Sequence, residues 1–371
     1  MNRTRRLRHP LVWVAVIALA LTAGCERAAE APSPPAQAPA TDSRTVLGAG
    51  ATFPAPIYEQ WFEQFPRTID GAGTEVRYEA VGSGKGITAF TERKVDFGAT
   101  DVPLSPSELA TAEAAGGAVV HIPTVLGAIT VVYNLPGSPR LRMDAELIAD
   151  LFLGEITTWQ DPRIAALNPA ARLPDLPVSV VHRSDSSGTT ANFTAFLANR
   201  VPAFDEGVGQ GKEVEWVTGE GAKGNDGVAE GVKKTEGAVG YVELTYAIEQ
   251  RLPVADVENA AGRFVTPTPG SVAIAADDMA PASAGDFSLS LLHTTGRNAY
   301  PISSYTYLIV FARQTDPDKG RLLASLLRFM AGPGQASAGR LHYTPVPRDL
   351  RASVAAKIRL LHDPAGTHLS S

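Results

Sequence analysis

The stretch RSDSSGTT, residues 183–190, lies between a β-branched run at residues 176–181 and an amphipathic run at residues 191–201. This order predicts a strand that delivers an arginine and small hydroxyl residues to the start of a helix. The first turn of a helix has unpaired backbone N–H groups and a partial positive charge, so it attracts anions. Arg183 adds a full charge with a forked set of donors, and Gly188 lets the backbone approach closely. The pattern therefore favours an α/β fold with a site for a tetrahedral oxyanion.

The N-terminus has the pattern of a lipoprotein export signal. Four arginines near the start precede an apolar run at residues 11–20, and the small-residue stretch LTAGC follows at residues 21–25. These features are typical of a secretory signal rather than of a membrane span. Cys25 stands where a lipobox places the lipidated residue, although Thr22 stands where leucine is more usual. We expect residues 1–24 to be removed and Cys25 to carry a lipid; an ordinary signal peptide with a stray cysteine is the alternative.

A tether and an acidic body follow. Residues 25–44 are rich in Pro and Ala and have little to bury, so they predict an extended leash. Cys25 is the only cysteine, so no disulfide forms within the chain. Without the four signal arginines, 29 basic residues face 39 acidic ones, a net charge of −10. Such a body is a poor partner for nucleic acid, and an anion site in it must rely on local, buried donors.

A second helix start is predicted early in the chain. The segment GAGATFPAP leads into a helix, because Ile57, Trp61 and Phe65 recur four residues apart. Thr52 and Phe53 thus lie at the N-terminus of that helix. A dinucleotide-binding fingerprint is excluded, because Phe53 stands where its third small residue must be.

A third glycine loop before a helix follows a strand-like run at residues 76–81. It reads GSGKG, residues 82–86, and Ser83 is its side-chain donor. A P-loop is excluded, because Gly86 replaces the required Ser or Thr. The loop therefore predicts another anion-ready position without nucleotide chemistry.

Residues 95–104 predict a short buried strand that ends at Asp101. This segment alone leaves two interpretations open. Asp101 caps the turn that begins at Ser105, or it faces a ligand at the end of the strand.

Six ordered segments resemble the phosphate-binding proteins of phosphate-specific ABC transporters. They are residues 48–56, 82–86, 95–104, 180–189, 223–227 and 237–243. The resemblance covers roughly residues 45–361. It implies a type II periplasmic-binding-protein clamshell, in which two α/β lobes joined by two crossing hinge strands close on one dehydrated phosphate.

The resemblance also implies a ligand set. By position, the phosphate ligands are Thr52, Phe53 through its backbone N–H, Ser83 and Asp101 from the first lobe, and Arg183, Ser187, Gly188 and Thr189 from the second. Asp185 matches the residue that holds the arginine, and its alternative role is the N-cap of the following helix. The chain departs from the family at Gly84-Lys85, where relatives often carry Ser and Gly. The lysine adds a positive charge at the rim of the ligand site. No cofactor is implied, and no metal-ligand spacing occurs in the sequence.

A carboxylate facing an anion is explained by the proton of the ligand. Protonated phosphate carries a donor that ionised Asp101 accepts, whereas sulfate has no proton to offer. Sites of this kind reject the analogue that lacks the hydrogen bond by on the order of 10⁴ or more. We therefore expect Asp101 to set selectivity for phosphate over sulfate, while arsenate, which keeps a proton, remains an alternative ligand.

The periodicity predicts how the lobes are assembled. Residues 45–126 together with 303–361 form lobe I, residues 127–302 form lobe II, and residues 362–371 form a tail. Strand-like runs at residues 127–134 and 305–311 are long enough to cross between the lobes. Helices are expected at residues 145–153, 322–330 and 350–361, and residues 254–286 are too irregular to assign.

The predicted function is capture of phosphate outside the cytoplasm for an ABC transporter permease, by a monomer anchored in a bacterial membrane through Cys25. The rival is a secreted phosphomonoesterase, because His182, Asp185 and Ser186 or Ser187 are the residue types of a hydrolytic triad. Neighbours in sequence at a strand end cannot easily align as nucleophile, base and orienter, so a binding protein rather than an enzyme is favoured. A surface lipoprotein that keeps the fold without import is a further alternative.

Overall fold

The computed structural model describes residues 44–279 and 290–369. The predicted export signal, Cys25 and the tether up to residue 43 lie outside them. The strands are β1 (Thr45–Gly50), β2 (Glu75–Ala80), β3 (Phe97–Thr100), β4 (Val119–Tyr133), β5 (Arg142–Met143), β6 (Ser179–Arg183), β7 (Glu220–Ala222), β8 (Ala238–Glu243), β9 (Asp256–Glu258), β10 (Phe264–Val265), β11 (Ser303–Phe311) and β12 (Thr344–Pro345). The helices are α1 (Ala55–Gln64), α2 (Ser83–Thr91), α3 (Pro106–Gly116), α4 (Ala145–Phe152), α5 (Pro162–Leu167), α6 (Gly188–Ala198), α7 (Pro202–Gly207), α8 (Gly224–Lys234), α9 (Leu244–Gln250), α10 (Pro269–Met279), α11 (Pro317–Ala331) and α12 (Arg351–Ile358). None of these helices is both long and apolar enough to cross a membrane.

The main sheet has the strand order β2-β1-β3-β11-β4-β8-β6-β7, with β12 also paired to β4. We call β2, β1, β3, β11, β12 and the first part of β4 the first sheet half, and the rest of β4 with β8, β6 and β7 the second sheet half. In the first half β1 pairs in parallel with β2 and β3, and in the second half β6 pairs in parallel with β7 and β8. Strands separated by helices in this way are typical of α/β folds. The predicted fold class is confirmed in this respect.

Strand β4 joins the two sheet halves. Its residues from 119 to 128 pair with β11 and those from 129 to 133 pair with β8, both antiparallel. The partner therefore changes between Ala128 and Ile129. The Ile129 N–H donates to the carbonyl of Ile302, so the segment just before β11 lies beside the point where β4 changes partner. The division of the whole chain into lobes at residues 126/127 and 302/303 stays a prediction.

The parallel strands place the candidate site. β1, β2 and β3 are followed by Thr52, Ser83 and Asp101, and β6 itself ends at Arg183. In open α/β sheets, ligands bind beyond the carboxyl ends of the strands. The sequence order strand, glycine loop, helix thus brings the predicted ligands to strand ends in both sheet halves.

Helix α1 buries the face that its sequence predicts. Ile57 and Trp61 are fully buried, as is Phe65 in the 3₁₀ turn that extends the helix. Each such side chain stabilises the fold by about 2 kcal/mol through burial. The Trp61 indole donates to the carbonyl of Gly334 at 2.8 Å, which fixes the helix against a distant part of the chain. Helix α1, which follows Thr52 and Phe53, is therefore anchored through its buried face.

Two regions add detail that the periodicity does not contain. The unassigned residues 254–286 include β9, β10 and α10, and β10 and β9 complete a small sheet with β5. The predicted tail returns to the fold, since Leu369 is buried and its N–H donates to the carbonyl of Leu361. The predicted helices at residues 145–153, 322–330 and 350–361 correspond to α4, α11 and α12.

Candidate oxyanion site

Arg183 and Asp185 form a buried two-point ion pair. Nε and Nη2 of Arg183 donate to Oδ1 and Oδ2 of Asp185 at 2.8 and 2.6 Å, and the two side chains are only 1% and 5% exposed. The Gly224 N–H also donates to Asp185 Oδ1 at 3.0 Å. Burial acts to raise the pKa of Asp185, but the hydrogen bonds and charge of Arg183 hold it below its usual value. Asp185 therefore stays ionised and fixes the guanidinium, and its alternative role as helix N-cap is wrong because Ser187 caps α6.

The third nitrogen of that guanidinium makes no such contact within the described part of the chain. Nη1 of Arg183 is buried and has no hydrogen-bond partner among the described residues. A buried charged donor without an acceptor is costly, because it has lost water and gained nothing in return. An anionic oxygen at this nitrogen would supply the missing acceptor.

Helix α6 presents its first turn beside Arg183. Ser187 is the N-cap, and its Oγ accepts the N–H of Thr190 at 3.1 Å. Gly188 and Thr189 follow as the first helical residues, and both are buried. The hydroxyl hydrogen of Ser187 remains available, as do the dipole and N–H groups of the helix start. These are the donors that an oxyanion requires.

Ser83 of the first sheet half lies against this helix start. Its Oγ, fully buried at the start of α2, accepts the Gly188 N–H at 3.1 Å. Thr52 and Phe53 lie in the turn before α1, and the Phe53 carbonyl accepts the Tyr343 hydroxyl at 2.6 Å. Lys85, which differs from the residue that relatives often carry at this position, is exposed on the first turn of α2.

Asp101 adds a carboxylate at the end of β3. It is 2% exposed, and its Oδ1 accepts the Thr306 hydroxyl at 2.8 Å. Among the described residues no donor reaches Oδ2. Burial raises the pKa of the carboxyl to about 7, although the Thr306 hydrogen bond and the charge of Arg183 act to lower it. The alternative that Asp101 caps the next turn is wrong, because Ser105 itself caps α3 with Glu108 in a capping box.

Two glycines allow the sheet halves to meet closely. Gly82 has a φ of +92°, and a Cβ there would lie 2.3 Å from Asp185 Oδ2. A Cβ on Gly188 would lie 2.7 Å from the Asp101 Cβ and 2.8 Å from Ser83 Oγ. Both positions require glycine because a side chain would push the two halves apart.

Gly188→Ala is expected to weaken anion binding by roughly 10- to 100-fold, because the new methyl group overpacks the seam between Asp101 and Ser83. Calorimetric titration of phosphate measures the change. Gly339→Ala is the matched control, since nothing lies within 4 Å of a Cβ there. Equal phosphate affinities of the two variants would show that the contact of Gly188 with Asp101 and Ser83 does not matter for binding.

Two residues at the site were missed by the sequence analysis. Asn225, in the second position of α8, bonds Thr52 and Thr189, and Thr306 of β11 bonds Asp101. A signal existed for Asn225, because it lies in the matched segment at residues 223–227. No signal pointed to Thr306, which depends on the pairing of β11 with β3.

Three residues of the rival hydrolytic triad, His182, Asp185 and Ser187, make other contacts. His182 bonds the Arg183 carbonyl through Nδ1 at 3.1 Å and stacks on Trp216. Asp185 holds the arginine, and Ser187 caps a helix. Across residues 44–279 and 290–369, no group of three or more His, Cys, Asp or Glu side chains could hold a metal ion. The site thus offers many donors and two carboxylates, of which Asp185 is bound to Arg183 and only Asp101 is without a cationic partner among the described residues; this arrangement suits a protonated oxyanion.

Comparisons with known proteins identify the family of the chain. The model of the PBP superfamily domain matches residues 35–333. The phosphate-binding protein PstS of Xylella fastidiosa (strain Temecula1) is 36% identical over 337 residues, which are 90% of each chain. That of Methanocaldococcus jannaschii is 38% identical over 305 residues, covering 77% of this chain and 78% of the relative.

A solved structure shares the two-lobed fold. The high-affinity periplasmic phosphate-binding protein PfluDING, bound with phosphate, superposes with a TM-score of 0.66 over 84% of this chain and 93% of that chain. Its sequence identity is 23%, so this likeness concerns the fold alone. With the family model and the curated relatives, it leads to one conclusion: the chain belongs to the PstS family of phosphate-binding proteins in the PBP superfamily.

Proposed function

We propose that this chain captures inorganic phosphate between its two lobes and delivers it to the permease of an ABC transporter, without an enzymatic step. The observation that carries the proposal is the buried Arg183 beside the start of α6, whose Nη1 has no acceptor among residues 44–279 and 290–369. An anionic oxygen at that nitrogen satisfies it. Family membership and the phosphate-bound relative of the same fold support phosphate as the anion.

The proposed ligand set divides into donors and one acceptor. The donors are the guanidinium of Arg183, the hydroxyls of Thr52, Ser83, Ser187 and Thr189, and the backbone N–H of Phe53. Gly188 completes the set at the start of α6; its N–H donates to Ser83 Oγ at 3.1 Å and has to exchange that partner for the anion. Asp101 is the acceptor: its Oδ2 accepts a hydrogen bond from the protonated oxygen of the ligand. Neutral and charge-assisted donors together compensate for the water that phosphate loses.

The proposed setting is the outer side of a bacterial membrane. The N-terminal pattern of arginines, apolar run and LTAGC supports export, with the lipid on Cys25 and residues up to 44 as the leash. The protein acts as a monomer in this scheme, and the permease receives phosphate when the lobes open.

Calorimetric titration tests the proposal. The chain with Cys25→Ala, stripped of bound anion, is titrated with phosphate, then sulfate and arsenate. Tight one-to-one binding of phosphate is expected. A folded protein that gives no heat with phosphate would overturn the proposal and leave a surface lipoprotein as the better explanation, and turnover of p-nitrophenyl phosphate would instead support the esterase.

An ion pair beside the start of α6 is expected to favour the closed state of the two lobes. Lys212 pairs with Glu108 of α3, and the Lys212 carbonyl accepts the Ser187 N–H at 2.9 Å. The pair is partly exposed, with side chains 18% and 26% accessible, so its contribution is modest. We expect Lys212→Met to weaken phosphate binding by roughly two- to fivefold at low salt and less at high salt.

Titrations at two salt concentrations measure this effect. Lys234→Met is the control, because Lys234 pairs with Glu230 within one helix and leaves the pair of Lys212 with Glu108 intact. An effect of Lys212→Met that does not change with salt would contradict an electrostatic latch.

A further inference from the structure

The side-chain amide of Asn225 has only one possible orientation. Asn225 is fully buried, and its Oδ1 accepts the backbone N–H of Glu243 at 2.9 Å. A backbone N–H can only donate, so the oxygen of the amide must face Glu243. The Nδ2 group therefore faces the opposite way, toward the site.

Two candidate phosphate ligands receive that amide group. Nδ2 donates to Oγ1 of Thr52 at 2.8 Å and to Oγ1 of Thr189 at 3.3 Å. The backbone N–H of Asn225 also donates to Thr52 Oγ1, at 3.2 Å. Asn225 thus connects the two sheet halves through two hydroxyls that belong to the proposed ligand set.

A hydroxyl group has two acceptor positions and one hydrogen to donate. On Thr52 both acceptor positions are occupied by Asn225, and within the described residues no protein acceptor takes its hydrogen. That hydrogen therefore points away from Asn225 and is left for a ligand. The same amide occupies one acceptor position on Thr189.

We infer that Asn225 is a positioning residue that turns the hydroxyl hydrogens of Thr52 and Thr189 toward the bound anion, so that both threonines act as donors. The inference rests on the proposed function. It has a consequence for selectivity. With the threonines fixed as donors, Asp101 is left as the acceptor that reads the proton of the ligand.

A double-mutant cycle with Thr52 tests the inference. Asn225→Ala and Thr52→Val are each expected to weaken phosphate binding by roughly 10- to 100-fold, the effect of losing a hydrogen bond to a charged group. The double variant is expected to bind phosphate no more weakly than the single variant with the larger loss of affinity, because each change removes the hydroxyl donor of Thr52. A loss equal to the product of the two single losses would overturn the inference.

Asn225→Asp separates positioning from a merely structural role. The aspartate keeps an oxygen for the Glu243 N–H but has no N–H for the threonines. The added negative charge weakens phosphate binding by itself, so the readout is the cycle of Asn225→Asp with Thr52→Val. If Asn225 only holds Glu243, Thr52→Val still costs its full factor of roughly 10 to 100 in the Asn225→Asp background, and the inference fails. We expect Asn225→Asp to remain folded and to bind phosphate no better than Asn225→Ala; where Asn225→Ala does not fold, the cycle is run with Asn225→Asp.

Asn168→Ala is the matched control, since Asn168 is another buried asparagine and bonds Arg142 and the Ile164 carbonyl away from the site. It is expected to lower thermal stability without changing the dissociation constant. Wild-type protein that does not bind phosphate would contradict the proposed function itself. Wild-type binding with unchanged affinity in all Asn225 variants would contradict this inference alone.

Discussion

Asp101→Asn is expected to abolish most of the discrimination between phosphate and sulfate, a loss on the order of 10⁴ in the affinity ratio. In the wild type, Thr306 occupies Oδ1 of Asp101, and Oδ2 is left to accept a ligand proton. Sulfate has no proton and meets a carboxylate at close range, which is unfavourable. An asparagine can present an N–H to sulfate or an oxygen to protonated phosphate, so the variant rejects neither. Titrations of both anions at pH 8 measure the ratio.

The same discrimination is expected to weaken in acid. Burial raises the pKa of Asp101 to about 7, so the carboxyl becomes protonated as the pH falls through neutrality. A protonated Asp101 donates a hydrogen bond to sulfate. Sulfate binding to the wild type should therefore be much stronger at pH 5.5 than at pH 8, whereas sulfate binding to Asp101→Asn should change little.

Stability of the ligand-free protein follows the same titration. Because the folded pKa lies above the unfolded value, the contribution of Asp101 is fully present below pH 4 and is lost as the pH rises through 7. Relative to Asp101→Asn, the wild type should lose on the order of 4 kcal/mol of unfolding free energy between pH 4 and pH 8. Urea unfolding of both proteins across this range measures the difference.

Asp96→Asn is the control for the affinity measurements, because Asp96 lies at the opposite end of β3, where it accepts the Leu47 N–H and pairs with Lys319. It should leave the affinity ratio unchanged. If Asp101→Asn kept the wild-type ratio of sulfate to phosphate affinity, the proton-reading role of Asp101 would be wrong.

What the sequence could predict is local. A strand-like run, then small polar residues, then a helix-like run predicted the positions of Arg183, Ser187 and Gly188. A few adjacent residues are enough for this, because they decide where β6 ends and α6 begins. The ion pair of Arg183 with Asp185 spans two positions, so it too was within reach.

What the sequence could not predict depends on pairing between distant segments. Thr306 reaches Asp101 only because β11 lies antiparallel to β3, which aligns Tyr307 with Thr100. The small sheet joins β9 to β5 across more than a hundred residues, and its short strands carry no clear alternation. Periodicity describes one element at a time and contains no register between elements.

Arg183→Met is expected to weaken phosphate binding by roughly 10²- to 10³-fold, since a desolvated charged contact to the anion is removed. The variant should also be about 3–5 kcal/mol less stable, because Asp185 is left as a buried charge without its partner. Titration calorimetry and urea unfolding measure the two effects. Reduced binding alone would leave open whether the arginine contacts phosphate or only holds the fold.

The double variant Arg183→Met/Asp185→Asn separates these two roles. A neutral asparagine removes the uncompensated charge and keeps an oxygen for the Gly224 N–H. We therefore expect most of the unfolding free energy to return while phosphate binding stays as weak as in Arg183→Met. If binding returned together with stability, the Nη1 group of Arg183 would not be a phosphate contact. If neither returned, the ion pair would have a structural role that the neutral pair cannot supply. Restored folding without restored binding assigns the third nitrogen of the guanidinium to the anion and the other two to the clamp.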